Sequence, residues 1–93
     1  MPPGPVLESI EAMLKASLRP VHLEVRDDSA RHAGHAGAAS GGGHYAVTVV
    51  SAAFEGKTLL EQHRMVHEAL RDLLKREIHA LALKTIPVSE WGH

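Results

Sequence analysis

Over residues 5–18 the apolar positions recur at helical spacing. Val6, Leu7, Ile10, Met13 and Leu14 share one stripe with Ser17, while Glu8 and Glu11 sit in the early turns and complement the helix dipole. Pro5 suits a first helical position and Pro20 limits the element at Leu18 or Arg19, so a helix is expected over 5–18. From Val21 to Arg26 the period changes to two, with Val21, Leu23 and Val25 on one face and His22, Glu24 and Arg26 on the other, which predicts a half-buried strand.

Asp27 to Gly43 shows no apolar periodicity and holds five glycines, so it reads as a loop of the length usually reserved for function or disorder. A second strand is expected over 44–50, pairing antiparallel with the first across that loop. Thr58-Leu59-Leu60-Glu61 fits a capping box, followed at helical spacing by Leu59, His63, Val66, Leu70, Leu73 and Leu74; one amphipathic helix to Lys75 is expected. Ile78 to Ile86 reads as a third strand, and Pro87 to Trp91 as a last turn folding back over the sheet.

Two strands joined through a helix most easily form a right-handed parallel crossover, so the third strand should run parallel to the second. The expected order is α-β-β-α-β-α, an α+β fold with a mixed three-stranded sheet and helices on one face, formed as a single domain over 1–93.

Hydrophobic residues make up 44% of the chain and aromatics 3%, so the core must come from Leu, Val, Ile, Met and Ala. With no cysteine, disulfides, thiol nucleophiles and self-contained iron–sulfur or zinc-finger sites are excluded; any sulfur ligand must come from another molecule. No apolar run approaches the roughly 18 residues of a membrane span, and Met1-Pro2-Pro3-Gly4-Pro5 lacks a basic leader pattern, so a cytoplasmic protein without membrane contact is expected. The formal net charge of −1 lacks the basic excess that drives phosphate-backbone binding.

Eight histidines remain as the candidate chemistry. The expected topology puts the end of the first strand and the starts of the second and third at one end of the sheet, gathering His32, His35, His44 and His79 there. Neutral imidazole ligates iron, zinc, copper and nickel. His32-x-x-His35 alone is weak evidence for a metal site, and a shell completed by a partner's ligands suits a chain without thiols better. His63 lies on the apolar helix stripe and reads as a core histidine, His67 as partly exposed, and His22 and His93 as solvent-facing.

No nucleophile elbow, phosphate loop or HExxH string occurs, and Asp27-Asp28-Ser29 reads as turn residues, so no enzymatic activity is expected. Gly34-His35-Ala36-Gly37 matches the GxxG string of KH domains but lies between strands, and Phe54-Glu55-Gly56-Lys57 matches only in part. Lys57, Arg64, Arg71, Lys75 and Arg76 form a modest basic strip interleaved with Glu61, Glu68 and Asp72, the pattern of a solvated face.

Val50-Ser51-Ala52-Ala53-Phe54-Glu55-Gly56-Lys57, then Gln62-His63-Arg64-Met65-Val66-His67, then Ile78-His79-Ala80-Leu81-Ala82-Leu83-Lys84-Thr85, resemble the BolA family in order and content. The resemblance extends upstream through Leu23 to Ser29 and downstream to Trp91. It implies a type II KH-like fold and partnership with a monothiol glutaredoxin. In that partnership a [2Fe-2S] cluster is bridged, the glutaredoxin and glutathione supplying sulfur and this chain histidine, with none bound by the isolated chain. The family's His-Ala-Leu ligand matches His79; its loop ligand matches His32, with His35 as a close substitute and His44 as a competitor. Imidazole in place of thiolate raises the cluster's potential and is lost on protonation, which suits transfer or sensing. The family's link to transcriptional regulation makes DNA binding through the KH-like surface the alternative.

Overall fold

The computed structural model describes residues 4–28 and 43–92. Helix α1 spans Pro5–Leu18, as its periodicity predicts, and buries Ile10, Leu14 and Leu18 at intervals of one turn. It ends on Arg19 in the left-handed region (φ 46°), whose N–H donates to the Lys15 carbonyl.

Strand β1 (His22–Asp27) pairs antiparallel with β2 (Gly43–Ser51), and β2 pairs parallel with β3 (Ile78–Pro87), giving the order β1-β2-β3. The parallel crossover expected from the intervening helix is therefore present. Leu23, Val25, Tyr45, Val47 and Val49 face the helices, packing with Ile10 and Leu14 of α1 and with Val66, Leu70 and Leu73 from the crossover. The opposite side carries Glu24, Arg26, Thr48, Ala82 and Lys84, partly or fully exposed. The outward residues line up in cross-strand rows, Arg26 with Ala46 and Ala82, and Glu24 with Thr48 and Lys84.

A 3-10 turn over Ala52–Phe54 leads to α2 (Leu59–Ala69). The capping box is formed: the Thr58 hydroxyl accepts from Glu61 N–H at 3.1 Å, and the Glu61 carboxylate accepts from Thr58 N–H at 2.8 Å. The single helix expected to Lys75 is instead interrupted at Leu70 (φ −104°, ψ 12°) and resumes as α3 (Arg71–Arg76). No glycine or proline marks the break. Leu70 is fully buried, and the departure from helical geometry is confined to this residue, so packing sets it.

The buried face of α2 is also rotated from the expected stripe. Leu59 lies 63% exposed and His63 only half-buried, so His63 is not the core histidine expected. Gln62 is the buried polar residue: its amide donates to the Lys57 carbonyl at 2.9 Å and accepts from the Thr85 hydroxyl at 2.7 Å. These bonds satisfy both ends of a side chain that would otherwise be costly to bury. Val21, expected on the inward face of β1, is exposed, since β1 begins one residue later.

After β3 a 3-10 turn over Val88–Glu90 folds the chain back as expected. Trp91 stacks on His22, ring centroids 4.8 Å apart, beside the outward row of His22, Val50 and Ile86. His22 is thus half-buried instead of solvent-facing; His93 lies outside the described residues. No described helix is long and apolar enough to cross a membrane.

The turn is tied to the connection between β2 and α2 by Glu55, which accepts from the Ser89 N–H and the Ser89 hydroxyl at 2.9 and 2.8 Å. Both bonds favour the carboxylate and hold Glu55 below its ordinary value of 4.5. A lowered folded-state value means the tie contributes above that ordinary value and is lost as pH falls through the folded one. Acidification below pH 4.5 is expected to loosen the turn and change the emission of Trp91, the single tryptophan. Glu55→Gln should remove that step from a fluorescence titration.

Candidate histidine site

One end of the sheet collects the start of β2, the start of β3 and the end of β1. Asp27 pairs with Tyr45, the Asp28 N–H donates to the His44 carbonyl at 2.7 Å, and the Gly43 N–H donates to the Glu77 carbonyl at 2.9 Å. The guanidinium of Arg26 grips Asp28 with two bonds, 2.8 Å from Nε and 3.2 Å from Nη2, fixing the last turn of chain before residue 29. Because the pair is exposed, its role is geometric more than energetic.

The register at this end is irregular. Gly43 pairs with Ile78 but His44 pairs with Ala80, so β3 carries one extra residue, His79, in a β-bulge. His79 is exposed. Its ring lies 5.2 Å from that of His44, centroid to centroid and tilted by 50°, while the His44 Nε2 atom is buried. The expected gathering of these two histidines is therefore observed; His32 and His35 lie outside the described residues.

Among the described residues no group of three or more His, Asp or Glu side chains is arranged to hold a metal ion. The sheet end presents two imidazoles, one open to solvent, which is a donor set for nitrogen ligation that other ligands must complete. Beneath them Tyr45 is kept a neutral phenol: burial pushes its ionisation up, and the carboxylates of Asp27 and Glu77 push the same way.

The bulge is the feature that sequence reasoning missed, although a signal existed. Leu81 and Leu83 define an inward row of period two, and Ile78 stands three positions before Leu81, off that row. An apolar residue out of phase at a strand's start is the mark of one inserted residue.

A second candidate surface lies on the crossover. Arg64, His67, Arg71 and Lys75 line a shallow groove with Glu68 and Leu74. Arg71 is engaged by the Glu68 carboxylate at 3.1 Å, and Arg64 and Lys75 add two further cations along the groove.

The family described as BolA-like protein matches residues 14–90. The chain is 43% identical over 88 residues to BolA-like protein 1 of Mus musculus, covering 95% of this chain and 62% of that protein. It is 43% identical over 86 residues to the DNA-binding transcriptional regulator BolA of Escherichia coli (strain K12), covering 92% and 79%. Among solved structures, the BolA domain of SufE1 from Arabidopsis thaliana superposes with a TM-score of 0.85 at 37% identity, covering 97% of this chain and all of that one. The solution structure of BolA1 from Mus musculus gives 0.79 at 44% identity, covering 96% and 70%.

Proposed function

This chain belongs to the BolA-like family, and on that premise we propose that it is a non-enzymatic partner of a monothiol glutaredoxin, lending histidine ligands to a [2Fe-2S] cluster shared with the glutaredoxin and glutathione. The observation that carries the reading is the exposed His79 imidazole at the sheet end, 5.2 Å from the ring of His44. The donor chemistry fits: imidazole ligates iron, and a cysteine-free chain leaves the thiolates to its partners. His79 is the first ligand. His32 is the second with His35 as its substitute, because the buried Nε2 makes His44 the less accessible of the sheet-end pair.

When bound, the cluster supplies one-electron chemistry and a transferable iron–sulfur unit. The chain's own part is to present neutral imidazole lone pairs on a rigid sheet end, replacing thiolate charge at one iron and so raising the potential. Iron–sulfur handling or iron and redox signalling in the cytoplasm is the role this chemistry serves.

The test is to add the chain to a cluster-loaded monothiol glutaredoxin with glutathione and record the visible spectrum. A changed spectrum is expected with the natural chain. His79→Ala should abolish that change while altering unfolding free energy by no more than about 0.5 kcal/mol, since the side chain is exposed. An unchanged spectrum with the natural chain would refute cluster sharing.

A second reading, DNA binding, draws on the similarity to the Escherichia coli DNA-binding transcriptional regulator and on the groove of Arg64, His67, Arg71 and Lys75. It requires a salt-dependent shift of duplex mobility that Arg64 or Lys57 substitution removes. Absence of retardation at low salt rejects it.

A further inference from the structure

We propose that the bulge at the start of β3 is the device that turns His79 outward, and that Gly43 is the positioning residue that keeps it there, by leaving the Tyr45 ring the space it occupies. The inference takes its purpose from the cluster-sharing reading, and its geometry from the sheet alone.

The inward row of β3 contains Leu81, Leu83 and Thr85. Counted back in steps of two, that row reaches position 79. An uninterrupted strand would therefore send the His79 ring toward the helices and Ile78 to the outward side. The opposite is observed: Ile78 is 5% exposed, within the core, and His79 and Ala80 are both exposed. The one inserted residue makes the exchange, placing the His79 ring beside that of His44, which lies on the outward row of β2.

Across from the bulge, Gly43 pairs with Ile78. The Tyr45 ring lies against its Cα: a Cβ at position 43 would come within 2.7 Å of both the Tyr45 Cζ and Oη atoms, and closer still to Cε2. Tyr45 is itself buried among core side chains, so its ring cannot swing aside without displacing them. Glycine is required here for space. Any larger residue must move either the Tyr45 ring or the strand, and both moves disturb the Gly43–Ile78 pairing on which the bulge stands.

The experiment follows the contact between the His44 and His79 ring protons by nuclear Overhauser spectroscopy in the free chain. The contact is expected in the natural chain, lost in Gly43→Ala, and regained in the double variant Gly43→Ala with Tyr45→Leu, which lacks the colliding ring atoms. In the glutaredoxin complex, the His79-dependent change in the visible spectrum should be lost and regained in the same two variants, a recovery that a general loss of stability would not produce. Retention of the ring contact in Gly43→Ala overturns the inference, as does its absence in the double variant. If Gly43→Ala alone does not fold, the double variant decides. A spectrum insensitive to the natural chain refutes cluster sharing and leaves the ring-contact result to judge the positioning claim by itself.

Discussion

Phe54→Ala is expected to lower the unfolding free energy by about 3–5 kcal/mol, read from the midpoint of a urea titration at unchanged slope. Phe54 is the single phenylalanine, fully buried at the end of the turn between β2 and α2. Its neighbours in the core are largely aliphatic and anchored on the sheet and on α1, so collapse into the vacated space is limited. Against a typical total of roughly 5–15 kcal/mol this is a large fraction. A loss under about 1 kcal/mol would mean that the turn repacks freely. Phe54 sits at the sheet end opposite His79, so a variant still folded should keep the His44–His79 ring contact.

Ser51→Ala should cost about 1–3 kcal/mol, more than removing a hydroxyl from the surface, because it strands the Leu18 carbonyl of a buried bond and takes the acceptor from the part-buried Ala53 N–H. The Ser51 hydroxyl donates to the Leu18 carbonyl at 2.5 Å and accepts from the Ala53 N–H at 3.0 Å, and the residue is fully buried. The first bond satisfies a carbonyl at the end of α1, where helices leave acceptors unpaired. It also pins that end beside Arg19, whose left-handed backbone is a cost the surroundings must offset. Thermal unfolding of Ser51→Ala beside the natural chain checks the figure; a neutral result would show that water replaces both bonds.

Local rules made much of the fold legible. Pro5 and Pro20 bracket α1, Thr58 and Glu61 start α2, and the crossover rule places β3 parallel to β2, which is what brings His44 and His79 to one end. What escaped was decided by packing. The buried face of α2 turns on Gln62, whose amide finds partners on Lys57 and Thr85 that no helical wheel displays. Leu70 bends the crossover without a breaker residue because its side chain is held in the core. His22 gains cover from Trp91, nearly seventy positions away in the chain. The bulge depends on whether Ile78 or His79 enters the core, a choice made jointly with Tyr45 and Gly43.

Among the described strands β3 pairs on one side only, with β2, so its other side is a row of amides able to recruit a strand from another molecule. An inserted residue near one terminus, with Lys84 along the strand and Pro87 at its close, spoils that row as a template for stacking. The irregularity that presents an imidazole thus also guards the molecule against edge-to-edge aggregation, and repairing it would be expected to favour fibrous self-assembly at high concentration.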